Sequence, residues 1–192
     1  MQLVKNFTHS KIIKLVFLAL AGTVLLAISS KIKIPFYPVP MTMQTFVVLL
    51  IGVTFGWRLG TATVLLYLFE GLIGLPVFAG TPEKGIGWIY FSGPTMGYLI
   101  GFIPAVFFAG LLKVQSKFNM FQRLLLNFII YAFSVSFIYL FGLIWLVKFV
   151  PIEKIWEIGF IPFVPAEILK ISILAFCATI FNKLILSWRS FR

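Results

Sequence analysis

The sequence is short of nearly every residue type that carries covalent or metal chemistry. It has one cysteine, Cys177, one histidine, His9, and five acidic residues against sixteen lysines and arginines. One cysteine excludes a disulfide framework, and Cys177 in an apolar run reads as a small hydrophobe rather than a nucleophile. His9 has no cysteine, histidine or acid beside it, so it reads as a solvated tail residue and not a metal ligand. There is no HExxH, no pair of acids at DxxD-like spacing and no GxSxG. The glycines neighbour aromatic and aliphatic residues rather than Lys-Ser/Thr, so no Walker A loop is available. A chain like this does not hydrolyse ATP. Any energised work must draw on a partner or an ion gradient.

What the sequence has is apolar surface. It is 61% hydrophobic and 11% charged, with a mean hydropathy of +1.08. Soluble domains average roughly 45–50% apolar and about 25% charged. The chain therefore belongs in a lipid bilayer. Its net charge of +11 does not indicate nucleic acid, because no basic run is interleaved with polar or stacking residues outside the apolar segments. Cytoplasmic loops rich in Lys and Arg explain the charge better.

The order of apolar segments predicts an all-α integral membrane protein of six spans in a single domain, 1–192. The spans fall at about 12–29, 41–55, 59–75, 95–112, 124–149 and 166–186. Ala27-Ile28-Ser29 loosely resembles a signal cleavage site, but the segment before it is long for a signal peptide and reads as an uncleaved first helix. Pro35, Pro38 and Pro40 break the loop before span two into extended chain. Gly56-Trp57-Arg58-Leu59-Gly60 reads as a tight interfacial turn between spans two and three. Pro76–Gly93, rich in Gly and Pro, reads as a lid or an ordered re-entrant loop.

Charge supports this topology. On the side of the N-terminus lie Lys5, Lys11, Lys14, Arg58, Lys113, Lys117, Arg123, Lys183, Arg189 and Arg192, ten cations with no acid. The opposite side holds Lys31, Lys33, Lys84, Lys148 and Lys154 with Glu70, Glu83, Glu153 and Glu157. The positive-inside rule then puts both termini in the cytoplasm. Glycines at 52, 56 and 60, and at 97 and 101, let helices approach closely, within the protein or against a partner. Ala19, Thr23 and Ala27 mark a similar small-residue face on the first helix.

The polar exceptions all fall toward the outer side: Gln44, Glu70, the Thr81–Ser92 loop, Glu167 and Lys170. Together they predict a ligand pocket open to the outside. Each also has a plain structural reading. Glu167 follows Pro165 in a first helical turn, where an acid suits the helix dipole. Lys170 can snorkel to the headgroups, and Glu70 can be an interfacial acid at a helix end. Glu167 and Lys170, however, lie three residues apart on one helix face. An acid and a cation together inside a span mark a functional site by default.

Three stretches resemble one family. They are Pro38-Val39-Pro40-Met41-Thr42-Met43-Gln44-Thr45, Gly74-Leu75-Pro76-Val77-Phe78-Ala79-Gly80, and Gly93-Pro94-Thr95-Met96-Gly97-Tyr98-Leu99-Ile100-Gly101-Phe102. In this order and spacing they resemble BioY, the biotin-binding S components of energy-coupling-factor (ECF) transporters, from about Ile12 to Leu186. Two positions depart from the family pattern. Pro165-Ala166-Glu167-Ile168-Leu169-Lys170 stands where the family has Pro-Gly-Asp-x-x-Lys, and Met96 stands where a glycine is usual.

The resemblance implies an S-component bundle with no cofactor, in which biotin is the transported ligand. It implies a cell-membrane location (the inner membrane in a Gram-negative source). The implied partners are a membrane coupling subunit and two ATP-binding subunits. It also implies substrate contacts from Glu167, Lys170, Gln44 and Tyr98, with Thr81 and Tyr90 from the third loop. Glu167 would accept from the ureido N–H groups. Lys170 would donate to the ureido carbonyl or pair with the carboxylate tail. The Ala19, Thr23, Ala27 face is the expected docking surface for the coupling subunit. The rival readings are an S component for another vitamin, a small intramembrane enzyme acting on lipid, and a purely structural helper subunit.

Overall fold

The structure is a computed structural model that describes residues 2–35, 37–115 and 117–181, with side chains from residue 11 onward. The Lys5 and His9 side chains, and residues Lys183, Arg189 and Arg192, lie outside the described set. Helix α1 runs from Gln2 to Lys31, ten residues earlier than the apolar run alone predicts. A two-residue ribbon follows, with β1 (Lys33–Ile34) antiparallel to β2 (Met41–Thr42). Then come α2 (Gln44–Leu72), the short α3 (Trp88–Phe91), α4 (Met96–Leu111) and α5 (Met120–Leu146). The single-turn helix Ile152–Lys154, α6 (Ile155–Gly159) and a second turn, Ile161–Phe163, lead into α7 (Val164–Ile180).

Helix α2 is two antiparallel arms. Gly56 sits at φ 70°, ψ 170°, a region essentially reserved for glycine. Straight helix would separate Gln44 and Tyr67 by about 34 Å at 1.5 Å per residue. Instead, Gln44 Nε2 donates to Tyr67 Oη at 2.7 Å. The chain therefore reverses at Gly56, and the six-helix count stands: α1, the two arms of α2, α4, α5 and α7.

Close approach explains the glycine pattern. A Cβ on Gly60 would lie 3.4 Å from the Gly52 Cα, and one on Gly52 would lie 2.7 Å from the Val106 carbonyl of α4. Gly97 and Gly101 similarly meet the α5 backbone. These residues are used within the bundle. Helix α4 packs between α2 and α5, α1 lies on α2, and α7 closes against α5 and α2.

Helix α5 starts at Met120, where the sequence alone suggests a loop running to Arg123. The Asn119 side chain accepts from the Gln122 N–H, and the Gln122 side chain accepts from the Asn119 N–H. That reciprocal capping box stabilises the first turn. Among the described residues, α1, α2, α5 and the Ile152–Ile180 stretch are long and apolar enough to cross a bilayer, and α4 is a shorter apolar helix.

Candidate functional site

The first arm of α2 holds only about a dozen residues, roughly 18 Å of helix, against about 30 Å of hydrocarbon. Its first turn therefore lies within the bundle, where Gln44 and Thr45 are both buried. Helix α7 starts beside it after the turn Ile161–Phe163, which brings in Glu167. From the other side, α4 contributes Tyr98, Leu99 and Phe102, and α5 contributes Ile138 and Tyr139.

These residues line a cavity of which only about 50 Å3 is open to the centre of a water molecule. The small open volume makes it a tight slot. Leu99, Phe102, Ile138 and Phe163 form apolar walls. Polar groups come from Thr42, Gln44, Thr45, Tyr90, Thr95 and Glu167.

The charged centre is Glu167 with Lys170, 6% and 7% exposed. Lys170 Nζ donates to Glu167 Oε1 at 2.9 Å, to Thr45 Oγ1 at 3.0 Å and to the Thr42 carbonyl at 2.6 Å. An ammonium has three N–H groups, so all three are committed. Thr45 Oγ1 donates to Glu167 Oε1 at 2.8 Å. Glu167 Oε2 is buried and has no hydrogen-bond partner. Tyr139 lines the same cavity and is near enough to feel this carboxylate. The site thus presents one desolvated carboxylate oxygen beside the Tyr139 hydroxyl, held in place from behind by a cation. Groups of this kind form the strong, charge-assisted hydrogen bonds.

The loop between α2 and α4 roofs the slot. Phe78 stacks on Tyr90 with ring centroids 4.9 Å apart and meets Tyr67 edge-on at 5.2 Å. Tyr90 Oη donates to the Ala79 carbonyl, and burial pushes its phenol above the ordinary pKa, which keeps it a neutral donor. Lys31 Nζ donates to the carbonyls of Pro76, Phe78 and Thr81 and to Thr81 Oγ1, at 2.9–3.1 Å. This segment is an ordered roof tied to the end of α1.

The structure brings Gln44, Tyr90, Tyr98 and Glu167 together around the slot. Three of the expected contacts are placed elsewhere. Lys170 does not line the cavity, because its ammonium is consumed behind Glu167 and its geometry is that of a positioning group. Thr81 does not line it either, since its hydroxyl donates to the Phe78 carbonyl at 2.7 Å and accepts from Lys31. The Ala19, Thr23, Ala27 stripe faces inward. Thr23 is 2% exposed and donates to Glu70 Oε1 at 2.9 Å, and neighbouring Gly22 packs against Thr63 and Phe55 of α2. Intramolecular packing therefore occupies the surface that was expected to dock a coupling subunit. The exposed face of α1 carries Ile13, Phe17, Val24 and Ile28 instead.

Thr45 and Tyr139 are the residues that sequence reasoning missed. Thr45 is 122 positions from the Glu167 it binds, and nothing local marks such a pairing.

A family model described as the BioY family matches residues 3–187. This chain belongs to the BioY family. Among BioY proteins, the probable biotin transporter BioY of Pyrococcus horikoshii is 35% identical over 84% of this chain and 90% of its own length. The biotin transporter BioY of Thermotoga maritima is 37% identical over 84% of this chain and 92% of its own. A crystal structure of the S-component for biotin from an ECF-type ABC transporter superposes with a TM-score of 0.73 at 27% identity. It covers 91% of this chain and 93% of that one. The BioY chain described here therefore has the six-helix ECF S-component architecture, and it is a multi-pass membrane protein.

Proposed function

We propose that this chain captures biotin at the outer face of the cell membrane and serves as the substrate-binding subunit of an ECF-type transporter. The observation that carries the reading is that Glu167, whose buried Oε2 has no hydrogen-bond partner, lines a tight, mostly apolar slot in a BioY chain. Biotin has two ureido N–H donors, an apolar bicycle and a carboxylate tail. One ureido N–H donates to Glu167 Oε2, and the bicycle packs between Leu99, Phe102, Ile138 and Phe163. Lys170 neutralises the carboxylate from behind and keeps Oε2 pointed into the slot. A hydrogen bond to a charged group contributes about 1.5–3 kcal/mol.

Having no nucleotide-binding loop, the chain takes its energy from a coupling subunit in the membrane and two ATP-binding subunits. Membership in a family of transporters sets aside the lipid-enzyme alternative. An S component for another vitamin is separated by direct comparison. Purified chain is titrated with biotin, riboflavin and thiamine in parallel. Saturable binding of biotin alone is expected, and tighter binding of either other vitamin overturns the assignment.

A further inference from the structure

The end of the bundle opposite the slot holds a second, different cavity. Where α2 reverses at Gly56, Leu15, Phe55, Trp57, Arg58, Leu59 and Lys113 line a groove with about 520 Å3 open to a water centre, roughly ten times the figure for the ligand slot. Its floor is apolar. Its rim carries two exposed cations, Arg58 and Lys113. The Arg58 guanidinium lies 4.9 Å above the Trp57 ring, and Trp57 meets Phe107 edge-on at 5.5 Å. Gly110 is what lets the turn seat so closely, since a Cβ there would lie 2.5 Å from the Trp57 nitrogen.

Among the described residues no acid neutralises this rim. The five acids are Glu70, Glu83, Glu153, Glu157 and Glu167. Glu70 lies twelve residues up the second arm from Arg58, about 18 Å of helix away. Glu83 is in the roof, Glu153 and Glu157 are in the α5–α7 connection, and Glu167 is in the slot. Among the described residues the ion pair found is Glu167 with Lys170.

We infer that this groove binds one anionic phospholipid, with its phosphodiester between Arg58 and Lys113 and an acyl chain along Leu15, Phe55 and Leu59. Charge complementarity and an apolar floor together select a molecule that is both an anion and a hydrocarbon. Basic pockets between membrane helices on the cytoplasmic side suit such headgroups, and a guanidinium matches the phosphate in a bidentate fashion. Trp57 sits where interfacial aromatics anchor a helix turn. The inference does not rest on the biotin reading, because the groove and the slot share no lining residue.

Native mass spectrometry of the purified full chain tests it, with phosphatidylglycerol and phosphatidylcholine supplied at equal concentration. The wild type is expected to retain phosphatidylglycerol at least tenfold more. The double variant Arg58→Gln with Lys113→Gln is expected to lose about twenty-fivefold of that retention, at about fivefold per cation. It should still bind biotin as the wild type does, which shows that it is folded. Lys117→Gln, outside the groove, should change retention less than twofold. Equal retention of the two lipids by the wild type overturns the inference. So does an equal loss in Lys117→Gln, which would mean general surface charge. Displacement of the lipid by millimolar inorganic phosphate also overturns it, because the site would then take a free anion.

Discussion

Lys170 Nζ lies 2.9 Å from Glu167 Oε1, and the other carboxylate oxygen has no partner. The two residues are three apart on α7 and both are buried. The division of labour follows from this asymmetry. One oxygen holds the carboxylate in place through Lys170 and Thr45, and the other is left to accept from a ligand.

Removing the cation should therefore act through Glu167. Lys170→Ala strands a buried carboxylate, and breaking a buried pair typically costs about 3–5 kcal/mol. The expected result is at least a tenfold loss of biotin affinity together with a lower unfolding temperature, measured by calorimetric titration and a thermal scan. An unchanged affinity would remove Lys170 from the account.

The roof should depend on Lys31. Its ammonium holds three carbonyls and one hydroxyl of the 76–81 segment. Lys31→Ala should release the segment, raising amide exchange over 77–84 and speeding biotin dissociation several-fold. Unaltered exchange there would show that the Phe78 aromatic cluster holds the roof without it.

The wall behind Tyr98 is built by a glycine. A Cβ on Gly142 would lie 2.4 Å from the Tyr98 ring, and Tyr98 Oη donates to the Gly159 carbonyl at 2.8 Å. Gly142→Ala must push the ring toward the slot or break that bond. Overpacking of this kind costs about 1–3 kcal/mol. A lower unfolding temperature and weaker biotin binding are expected. A variant with both unchanged would mean that α5 shifts freely, against its close packing on α4.

Much of this was legible in the residues. Glu167 and Lys170 are conspicuous because a carboxylate and an ammonium are rare inside apolar helix. Gly56 with Trp57 and Arg58 marks the reversal, because glycine permits it and the other two suit the interface. Three features were not legible. Thr45 looks like any small residue of an apolar helix until α7 is placed against it. The spacing of Ala19, Thr23 and Ala27 says that something packs closely there, but spacing cannot distinguish α2 from another subunit. Lys170 has the right charge for a ligand contact, and only its three bond lengths reveal that its donors are already used.

The central claim is that Glu167 Oε2 accepts from biotin. Glu167→Gln tests it most directly, since the amide keeps the shape and removes the charge. Calorimetric titration of the folded variant with biotin should show affinity reduced at least tenfold, as expected when about 1.4 kcal/mol or more of a charge-assisted hydrogen bond is lost. Affinity within twofold of the wild type would contradict the account.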